Sequence, residues 1–486
     1  MEQVLFLFGL YGFGVFFGFL FRRHLSCTFI GISGFLWGAL FWVVGGLLLL
    51  LLKIPYLPIS MVVLFSILAG GFGIILVRQK ERQVSWGELA TLLLTALAFL
   101  LVLFFVNQNN FSAASPDSVM YIATGRKIAY EGLSHSVLRD LSLRGLYVSQ
   151  LQSASVFLGE DYLSAAQPAF AFTFLMVFTY LSYRISCYLV PDKRFVLTLS
   201  ILSSLVLFST YFIIFQSFYI HTNLISSVYL FVAVSAFWLT SVEDKTSWLI
   251  VGILGLLGFS LARNEAPVFA LIFLLLVISA NQIPYRKRLI TFLPYLAILI
   301  VWYLLLLNGI GDGTKILNPE RTLVIIGCLI AFCLLVLISE HKWIKDFVLP
   351  HLPKVMLGGL VIVLLFMVYQ RPEHMKISFG AIISNMFLSG EWGLTWLIIS
   401  FLLLISVAGP RVPWEELFFF GISSFFSTLL ALSYFRPPYR SIWVDSANRM
   451  LTHILPIVVL YISMKAAQGL LIGADLPDKA QNIDSL

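Results

Sequence analysis

The sequence predicts an all-α, polytopic membrane protein, and three observations support this fold class. Of the 486 residues, 60% are apolar and only 11% are charged, whereas charged residues make up about a quarter of an ordinary soluble domain. The mean hydropathy is +0.96. The apolar residues form long runs, and a run of about 20 residues is long enough to cross a bilayer as a helix. This composition excludes a soluble enzyme, a nucleic-acid-binding module, a disordered chain and a porin.

Apolar runs between charged clusters predict about fifteen transmembrane helices, within a range of about 13 to 15. The predicted spans are 4–21, 29–52, 56–77, 86–106, 166–190, 195–215, 222–240, 247–262, 266–282, 289–308, 321–339, 353–369, 392–409, 415–433 and 450–464.

Lysine and arginine in the short loops predict the orientation, because positively charged loops tend to stay in the cytoplasm. Basic clusters follow the first, third, fifth and ninth spans, at 22–23, 78–82, 193–194 and 286–288. We therefore expect the N-terminus outside, the C-terminus in the cytoplasm and the loop 107–165 on the external face. A bacterial inner membrane is the default location, because no targeting signal in the sequence points elsewhere.

The loop 107–165 is the only long connection in the chain, and loops of this length are usually functional or disordered. Val119, Ile122, Ala123 and Tyr130 fall on one face of a helix, and glycines interrupt the segment. We therefore expect two short juxtamembrane helices that lie at the membrane surface.

Asp117 opens the first of these helices, directly after Pro116. A carboxylate at this position can cap the helix by accepting from its free amides, or it can act as a base. Ser115 could cap the helix equally well, so that both roles stay open for Asp117.

Arg263 and Glu265 lie between two apolar stretches that are each short for a full crossing. This spacing predicts an ion pair at or slightly below the external membrane face, where ionisable groups mark a site or a buried structural pair. A tight external turn with a solvated pair is the alternative.

Three arginines, Arg436, Arg440 and Arg449, gather in and beside the last external turn. The planar guanidinium group binds phosphate oxygens in pairs, which suits a phosphate at the outer leaflet. Alternatively, these arginines neutralise lipid headgroups or pair with Asp445. Further polar candidates on the predicted external face are Tyr121, Arg126, Lys127 and His453. Metal-ligand spacing is not evident among them.

These segments resemble the GT-C class of integral membrane glycosyltransferases, which use sugars carried on polyprenyl phosphate or diphosphate. The shared motifs are an Asp followed by a Tyr and an Ala-x-Glu-Gly helix end (Asp117, Tyr121 and 129–132), a short Arg-x-Glu turn (Arg263 and Glu265), and the entry to the last helices (448–450 with His453 and Pro456). Met450 stands where an aromatic residue is commoner in the class, and the first three spans precede the usual pattern.

The resemblance implies an inverting glycosyltransferase with its active site on the external, periplasmic face. Asp117 would be the general base, and Arg449, Arg263, Arg440 and Arg436 would bind the carrier phosphate. Glu265, Tyr121, Arg126, Lys127 and His453 are secondary candidates. The resemblance divides the chain into additional N-terminal helices (1–85), a transmembrane core (86–465) and a cytoplasmic tail (466–486).

The implied partners are a polyprenyl-phosphate-sugar donor, membrane lipids and an acceptor that is a glycan, a lipid or a protein, with no nucleic acid. No cofactor is identified, and the sequence leaves open whether a divalent metal ion, Mg²⁺ or Mn²⁺, assists. The alternative functions are an envelope polysaccharide ligase or polymerase that uses a diphosphate-linked glycan, a lipid or solute transporter such as a flippase, and a structural subunit. The sequence shows no convincing internal repeat of the kind a transporter would have.

Overall fold

The computed structural model describes residues 1–78, 84–109, 116–243, 246–280, 282–310 and 317–473, and regular secondary structure in these ranges is helical throughout. The helices in chain order are α1 Glu2–Gly18, α2 Cys27–Leu51, α3 Pro58–Arg78, α4 Trp86–Asn109, α5 Pro116–Glu131, α6 His135–Arg144, α7 Tyr147–Gln152, α8 Ala154–Phe157, α9 Ala166–Leu189, α10 Lys193–Phe208, α11 Tyr211–Phe218, α12 Thr222–Glu243, α13 Thr246–Ala262, α14 Ala266–Ser279, α15 Tyr285–Gly309, α16 Pro319–Ile338, α17 Leu352–Gln370, α18 Pro372–Ser384, α19 Thr395–Ala408, α20 Glu415–Ser433 and α21 Ser446–Gly473.

Eleven of the described helices are long and apolar enough to cross a membrane, or twelve if the bent pair α10 and α11 counts as one span. The chain is therefore an integral, multi-pass membrane protein. Each of the fifteen predicted spans overlaps one of these helices or one of three shorter apolar helices, α13, α14 and α19. An α-helix rises about 1.5 Å per residue, so that α14 with 14 residues is about 21 Å long. That length is below the roughly 30 Å of a bilayer core, and the count of fifteen stays a prediction.

The external loop of the sequence prediction contains α5 and α6, as expected, followed by the two short helices α7 and α8. The predicted apolar face of α5 points away from the bundle, since the side chains of Val119 and Tyr130 are 56% and 78% exposed. A helix at the membrane surface exposes such a face to lipid, and that location stays a prediction. The face of α5 that is buried in the protein contains Ser118 and Tyr121. These polar groups reach the start of α12, where the Ser118 hydroxyl donates to the carbonyl oxygen of Ile220 at 3.1 Å.

The spans α12 and α21 lie at the centre of the bundle, where most of their length is buried. The N-terminal helix α2 packs against this centre, since the Tyr229 hydroxyl on α12 donates to the carbonyl oxygen of Leu36 at 2.6 Å. The indole nitrogen of Trp42, also on α2, donates to the carbonyl oxygen of Gln150 on α7 at 3.2 Å. The helices of segment 1–85 thus support the loop that carries α5.

Backbone contact between α1 and α2 should make Gly14 intolerant of a side chain. A Cβ atom at Gly14 would lie 1.8 Å from the carbonyl oxygen of Gly34, whereas a Cβ atom at Gly12 on the same helix meets nothing within 4 Å. We expect Gly14→Ala to force the helices apart and to lower the free energy of unfolding by about 1–3 kcal/mol, measured as thermal unfolding in detergent. The control Gly12→Ala should unfold like the wild type, and equal melting temperatures for both variants would contradict this packing.

Candidate functional site

Two arginines from distant parts of the chain hold the carboxylate of Asp117. Arg144 Nη1 donates to Asp117 Oδ1 at 2.7 Å, and Arg449 Nη1 donates to Asp117 Oδ2 at 2.6 Å. The three side chains are between 18% and 27% exposed. Both carboxylate oxygens are therefore held by positive charges at the edge of the protein interior.

Three helix ends bring this cluster together. Asp117 is in the first turn of α5, Arg144 is the last residue of α6, and Arg449 is in the first turn of α21. The hydrogen bonds that Asp117 accepts from the described residues come from these two arginines, which does not favour its role as a helix cap. Ser115, the alternative cap, lies outside the described residues.

His221, which directly precedes α12, is the next member of the cluster because it contacts Arg449. Arg449 Nη1 lies 3.0 Å from His221 Nε2, and because arginine only donates, Nε2 is the accepting nitrogen and the proton sits on Nδ1. His221 Nδ1 lies 3.4 Å from the hydroxyl of Thr222. Burial, together with the positive charges of Arg449, Arg263 and Arg144, holds the pKa of His221 well below its usual value. The imidazole is therefore neutral at physiological pH.

The two arginines determine the protonation of Asp117. Partial burial acts to raise the pKa of Asp117, but the hydrogen bonds and charges of Arg449 and Arg144 outweigh it, so that the pKa lies below its usual value. The carboxylate is ionised at neutral pH and is a weak base as long as both guanidinium groups hold it.

Arg263, Asn264 and Glu265 form a rigid turn between α13 and α14. Arg263 donates to Asn223 Oδ1 at 2.7 Å and forms an ion pair with Glu265. Asn264 Nδ2 donates to the carbonyl oxygen of Leu141 on α6 at 2.8 Å. Through this last contact the turn is fixed to the helix that carries Arg144.

An aromatic cavity of about 310 Å³ opens beside Asp117 and Arg449. Its walls consist mainly of α11 and of the segment before α21, with Phe212, Phe215 and Trp443 among the lining side chains. One end of the cavity therefore offers a carboxylate and a guanidinium group, and the rest offers ring surfaces. Such an arrangement suits an amphiphilic ligand or the apolar face of a sugar ring.

Other predicted site residues lie around this cluster or away from it. The Tyr121 ring lies below Arg144, with the guanidinium carbon 5.9 Å from the ring centre. Arg126 donates to Asp161 Oδ1 at 3.0 Å, and Lys127 donates to Asp140 Oδ2 at 2.7 Å. Both pairs fix α5 to neighbouring parts of the loop, so that Arg126 and Lys127 do not face Asp117.

The remaining C-terminal candidates, His453, Arg436 and Arg440, lie in three different surroundings. His453 is 1% exposed, one turn after Arg449 on α21, and neither ring nitrogen has a hydrogen-bond partner among the described residues. The Arg436 guanidinium lies over the ring of Tyr439, 5.5 Å from its centre. Arg440 is exposed. The carboxylate of Asp445 accepts from the backbone N–H of Arg440 at 3.2 Å, whereas the alternative left open by the sequence was a pair between Asp445 and an arginine side chain.

Within the described ranges, no three His, Cys, Asp or Glu side chains are grouped so that they could hold a metal ion. Comparisons with protein-family models, with curated proteins and with solved structures find no match to this chain.

Sequence reasoning assigned no role to Arg144 and His221. Arg144 was only one of several basic residues in the loop 107–165, and its distance of 27 positions from Asp117 gives no local signal of contact. Its position before Gly145, at the end of a helix, indicates a C-terminus rather than a site.

The ion pairs of Asp117 should make stability depend on pH. Asp117→Asn leaves Arg144 and Arg449 beside each other without the carboxylate, which should lower the melting temperature at pH 7. Because the folded-state pKa is lowered, this stabilisation is complete above the ordinary Asp pKa of about 4 and is lost as the pH falls through the folded-state pKa. The difference between wild type and variant, measured by thermal unfolding in detergent, should therefore shrink below about pH 4.

The matched control is Asp161→Asn, because Asp161 also pairs with an arginine but is 93% exposed, and exposed pairs contribute little. A difference for Asp117→Asn that stays constant from pH 7 to pH 3 would contradict the ion-pair assignment.

Proposed function

We propose that this protein is a membrane glycosyltransferase that moves a hexose or pentose from a polyprenyl-phosphate carrier to an acceptor at the external face of the membrane. The observation that carries the proposal is the carboxylate of Asp117 between Arg144 and Arg449 at the end of the aromatic cavity. A carboxylate can accept a proton, paired guanidinium groups can bind a phosphate, and ring surfaces can hold an isoprenyl chain or a sugar. The resemblance to the GT-C class adds a reaction that uses all three.

In the proposed reaction, the acceptor hydroxyl oxygen attacks the anomeric carbon of the sugar from the side opposite the phosphate. The bond between the anomeric carbon and the phosphate oxygen breaks, the phosphate keeps the electron pair, and the configuration is inverted. Asp117 accepts the proton of the acceptor hydroxyl. Arg449 and Arg144 stabilise the negative charge that develops on the leaving phosphate, which is usually the largest catalytic contribution of such a site.

The paired arginines also regulate the base. The phosphate of the carrier competes with the carboxylate for the same guanidinium groups, so that binding of the donor weakens their hold on Asp117. The pKa of Asp117 then rises towards the range in which a carboxylate accepts a proton effectively. Neutral His221 accepts from Arg449 and keeps its guanidinium group in position.

The remaining candidates take supporting roles in this proposal. Arg263 adds positive charge near His221 and is held by Glu265. Arg436 and Arg440 lie in the segment between α20 and α21. The basic loops favour an external N-terminus, a cytoplasmic C-terminus and a periplasmic active site in a bacterial inner membrane. The acceptor is a glycan, a lipid or a protein.

One observation favours a second candidate function. Paired arginines with a histidine, as formed by Arg144, Arg449 and His221, also suit an envelope polysaccharide ligase or polymerase that acts on a diphosphate-linked glycan. The two functions differ in the need for a single carboxylate, because such a ligase tolerates Asp117→Asn.

Asp117→Asn should abolish transfer and strengthen binding of the carrier. The variant lacks both the base and the anion that competes for Arg144 and Arg449, so we expect transfer to fall at least about 100-fold while polyprenyl phosphate binds several-fold more tightly. Transfer is measured with a panel of polyprenyl-phosphate-linked hexoses and pentoses, and binding by native mass spectrometry with undecaprenyl phosphate. A variant that keeps most of the activity would remove Asp117 from this role and favour the ligase.

Arg449→Ala should weaken the binding of undecaprenyl phosphate by about tenfold or more, because a charge-assisted hydrogen bond to phosphate is lost. Arg126→Ala is the matched control, since Arg126 lies on α5 like Asp117 but pairs with Asp161 and does not line the cavity. Native mass spectrometry in detergent measures both variants. Equal binding by Arg449→Ala and wild type would move the phosphate site elsewhere.

A further inference from the structure

A second cavity, of about 540 Å³, lies between α14, α16 and α20 on the other side of the 263–265 turn. Its apolar walls include Val268 and Val324, and its polar lining consists of Asn264, Glu265 and Arg436 together with Asn318, Glu320 and Arg321 from the start of α16. The cavity is thus adjacent to the Asp117 cluster through one shared turn, but it has its own lining residues.

The wall formed by α16 is accessible from the outside of the bundle. Val324 is 64% exposed, and the residues one and two turns further along the same face of α16, Cys328 and Ala331, are exposed as well. In a chain that crosses the membrane, an exposed apolar surface of a spanning helix contacts lipid. A molecule can therefore enter this cavity sideways from the bilayer.

The polar end of the cavity carries a guanidinium group that is suited to an anionic headgroup. The side chain of Arg436 is partly exposed, and its positive charge contributes to lowering the pKa of Glu265 against the effect of burial. Glu265 is already paired with Arg263. Of the other charged lining residues, Arg321 and Glu320 balance each other in charge, so that Arg436 supplies one positive charge in excess. Apolar walls with a cationic end match an amphiphile that has an anionic head.

We propose that this cavity binds the acceptor, and that the acceptor is a membrane amphiphile with an anionic, hydroxyl-bearing headgroup, an assignment that rests on the proposed glycosyltransferase function. The donor has a separate place, because the Asp117 cavity already combines the guanidinium group of Arg449 with apolar walls, and Arg144 binds the other oxygen of Asp117.

The turn 263–265 links the second cavity to the Asp117 cluster. Asn264 and Glu265 line this cavity, while Arg263 contacts Asn223 on α12. Asn264 also donates to the carbonyl oxygen of Leu141 on α6, the helix that carries Arg144.

In this arrangement the headgroup hydroxyl of the amphiphile approaches the anomeric carbon across the turn. Its O–H proton goes to Asp117, the new bond joins its oxygen to the sugar, and the phosphate leaves with the carrier. A glycan or protein acceptor from the aqueous phase would not need an entrance that faces lipid.

The test uses the full chain in vesicles of equal parts phosphatidylglycerol and phosphatidylcholine, with native mass spectrometry of the lipids that stay bound. Phosphatidylglycerol is the probe because its headgroup is anionic and carries hydroxyl groups. We expect the wild type to retain it in preference to phosphatidylcholine, and Arg436→Gln to reduce this retention about tenfold, as for the loss of a charge-assisted hydrogen bond. Val324→Trp, which fills the cavity, should have the same effect.

Leu323→Trp is the matched control for Val324→Trp, because Leu323 is 55% exposed on the same turn of α16 but does not line the cavity. It should retain phosphatidylglycerol like the wild type. Arg449→Ala should also retain it, while losing undecaprenyl phosphate. The proposal is overturned if all variants retain the two phospholipids equally, or if Val324→Trp loses undecaprenyl phosphate instead, which would make the cavity a donor site.

Lipid retention and sugar transfer, measured together, distinguish a failure of this proposal from a failure of the function on which it rests. If phosphatidylglycerol retention follows the expected pattern but no sugar of the donor panel is transferred by the wild type, the proposed glycosyltransferase function fails and the acceptor role falls with it, while the amphiphile site stands. If transfer occurs and Val324→Trp transfers at the wild-type rate, the function stands and the acceptor assignment is wrong.

Discussion

The ion pair between Asp117 and Arg449 joins positions 332 residues apart, and the geometry of the site depends on it. It fixes the start of α5 against the start of α21, and the second pair with Arg144 adds the end of α6. With these three helix ends held together, His221 and the 263–265 turn can contact the same small volume. Removing the carboxylate would leave two guanidinium groups facing each other at the edge of the protein interior, which is unfavourable.

The charges of the cluster are nearly balanced. Three guanidinium groups, of Arg144, Arg263 and Arg449, stand against two carboxylates, of Asp117 and Glu265, and His221 is neutral, so that one positive charge (3 − 2 = 1) is in excess. A phosphodiester such as a sugar linked to polyprenyl phosphate carries one negative charge and would neutralise this excess. The phosphate released after transfer carries more negative charge, since the second pKa of a phosphate monoester is about 6. In the proposed reaction the cluster therefore matches the donor in charge. It also matches the released phosphate dianion, because Asp117 has by then accepted a proton and two positive charges (3 − 1 = 2) are in excess.

The sequence predicted the helices better than it predicted the site. Apolar runs bounded by charged residues locate each hydrophobic helix. Backbone N–H and C=O groups in lipid have no water to bind, so that a long apolar run must form a helix, which hydrogen-bonds them within the run. The apolar pattern does not say whether a run crosses completely, as the 14-residue α14 illustrates. The sequence did not predict which face of α5 packs on the protein, because Ser118 and Tyr121 make polar contacts with residues at the start of α12 that are about 100 positions away. Asp117, Arg263 and Arg449 were found through short motifs, whereas the role of Arg144 depends on a tertiary contact that leaves no local pattern.

A sharp bend of 73° separates α10 from α11 and places α11 between the cavity and the outside of the bundle. The short helix α11 exposes Tyr211 and Ile214 on the outside of the bundle, while Phe212 and Phe215 line the cavity beside Asp117. One wall of the cavity is thus a single two-turn helix whose other side is exposed apolar surface, and such a surface faces lipid where the helix lies within the membrane. A bilayer that is thinner or thicker than the bundle strains the elements at its surface, and α11 would transmit such strain to the aromatic wall. Membrane thickness and lipid composition would then tune this site without contact between any lipid and the charged groups themselves.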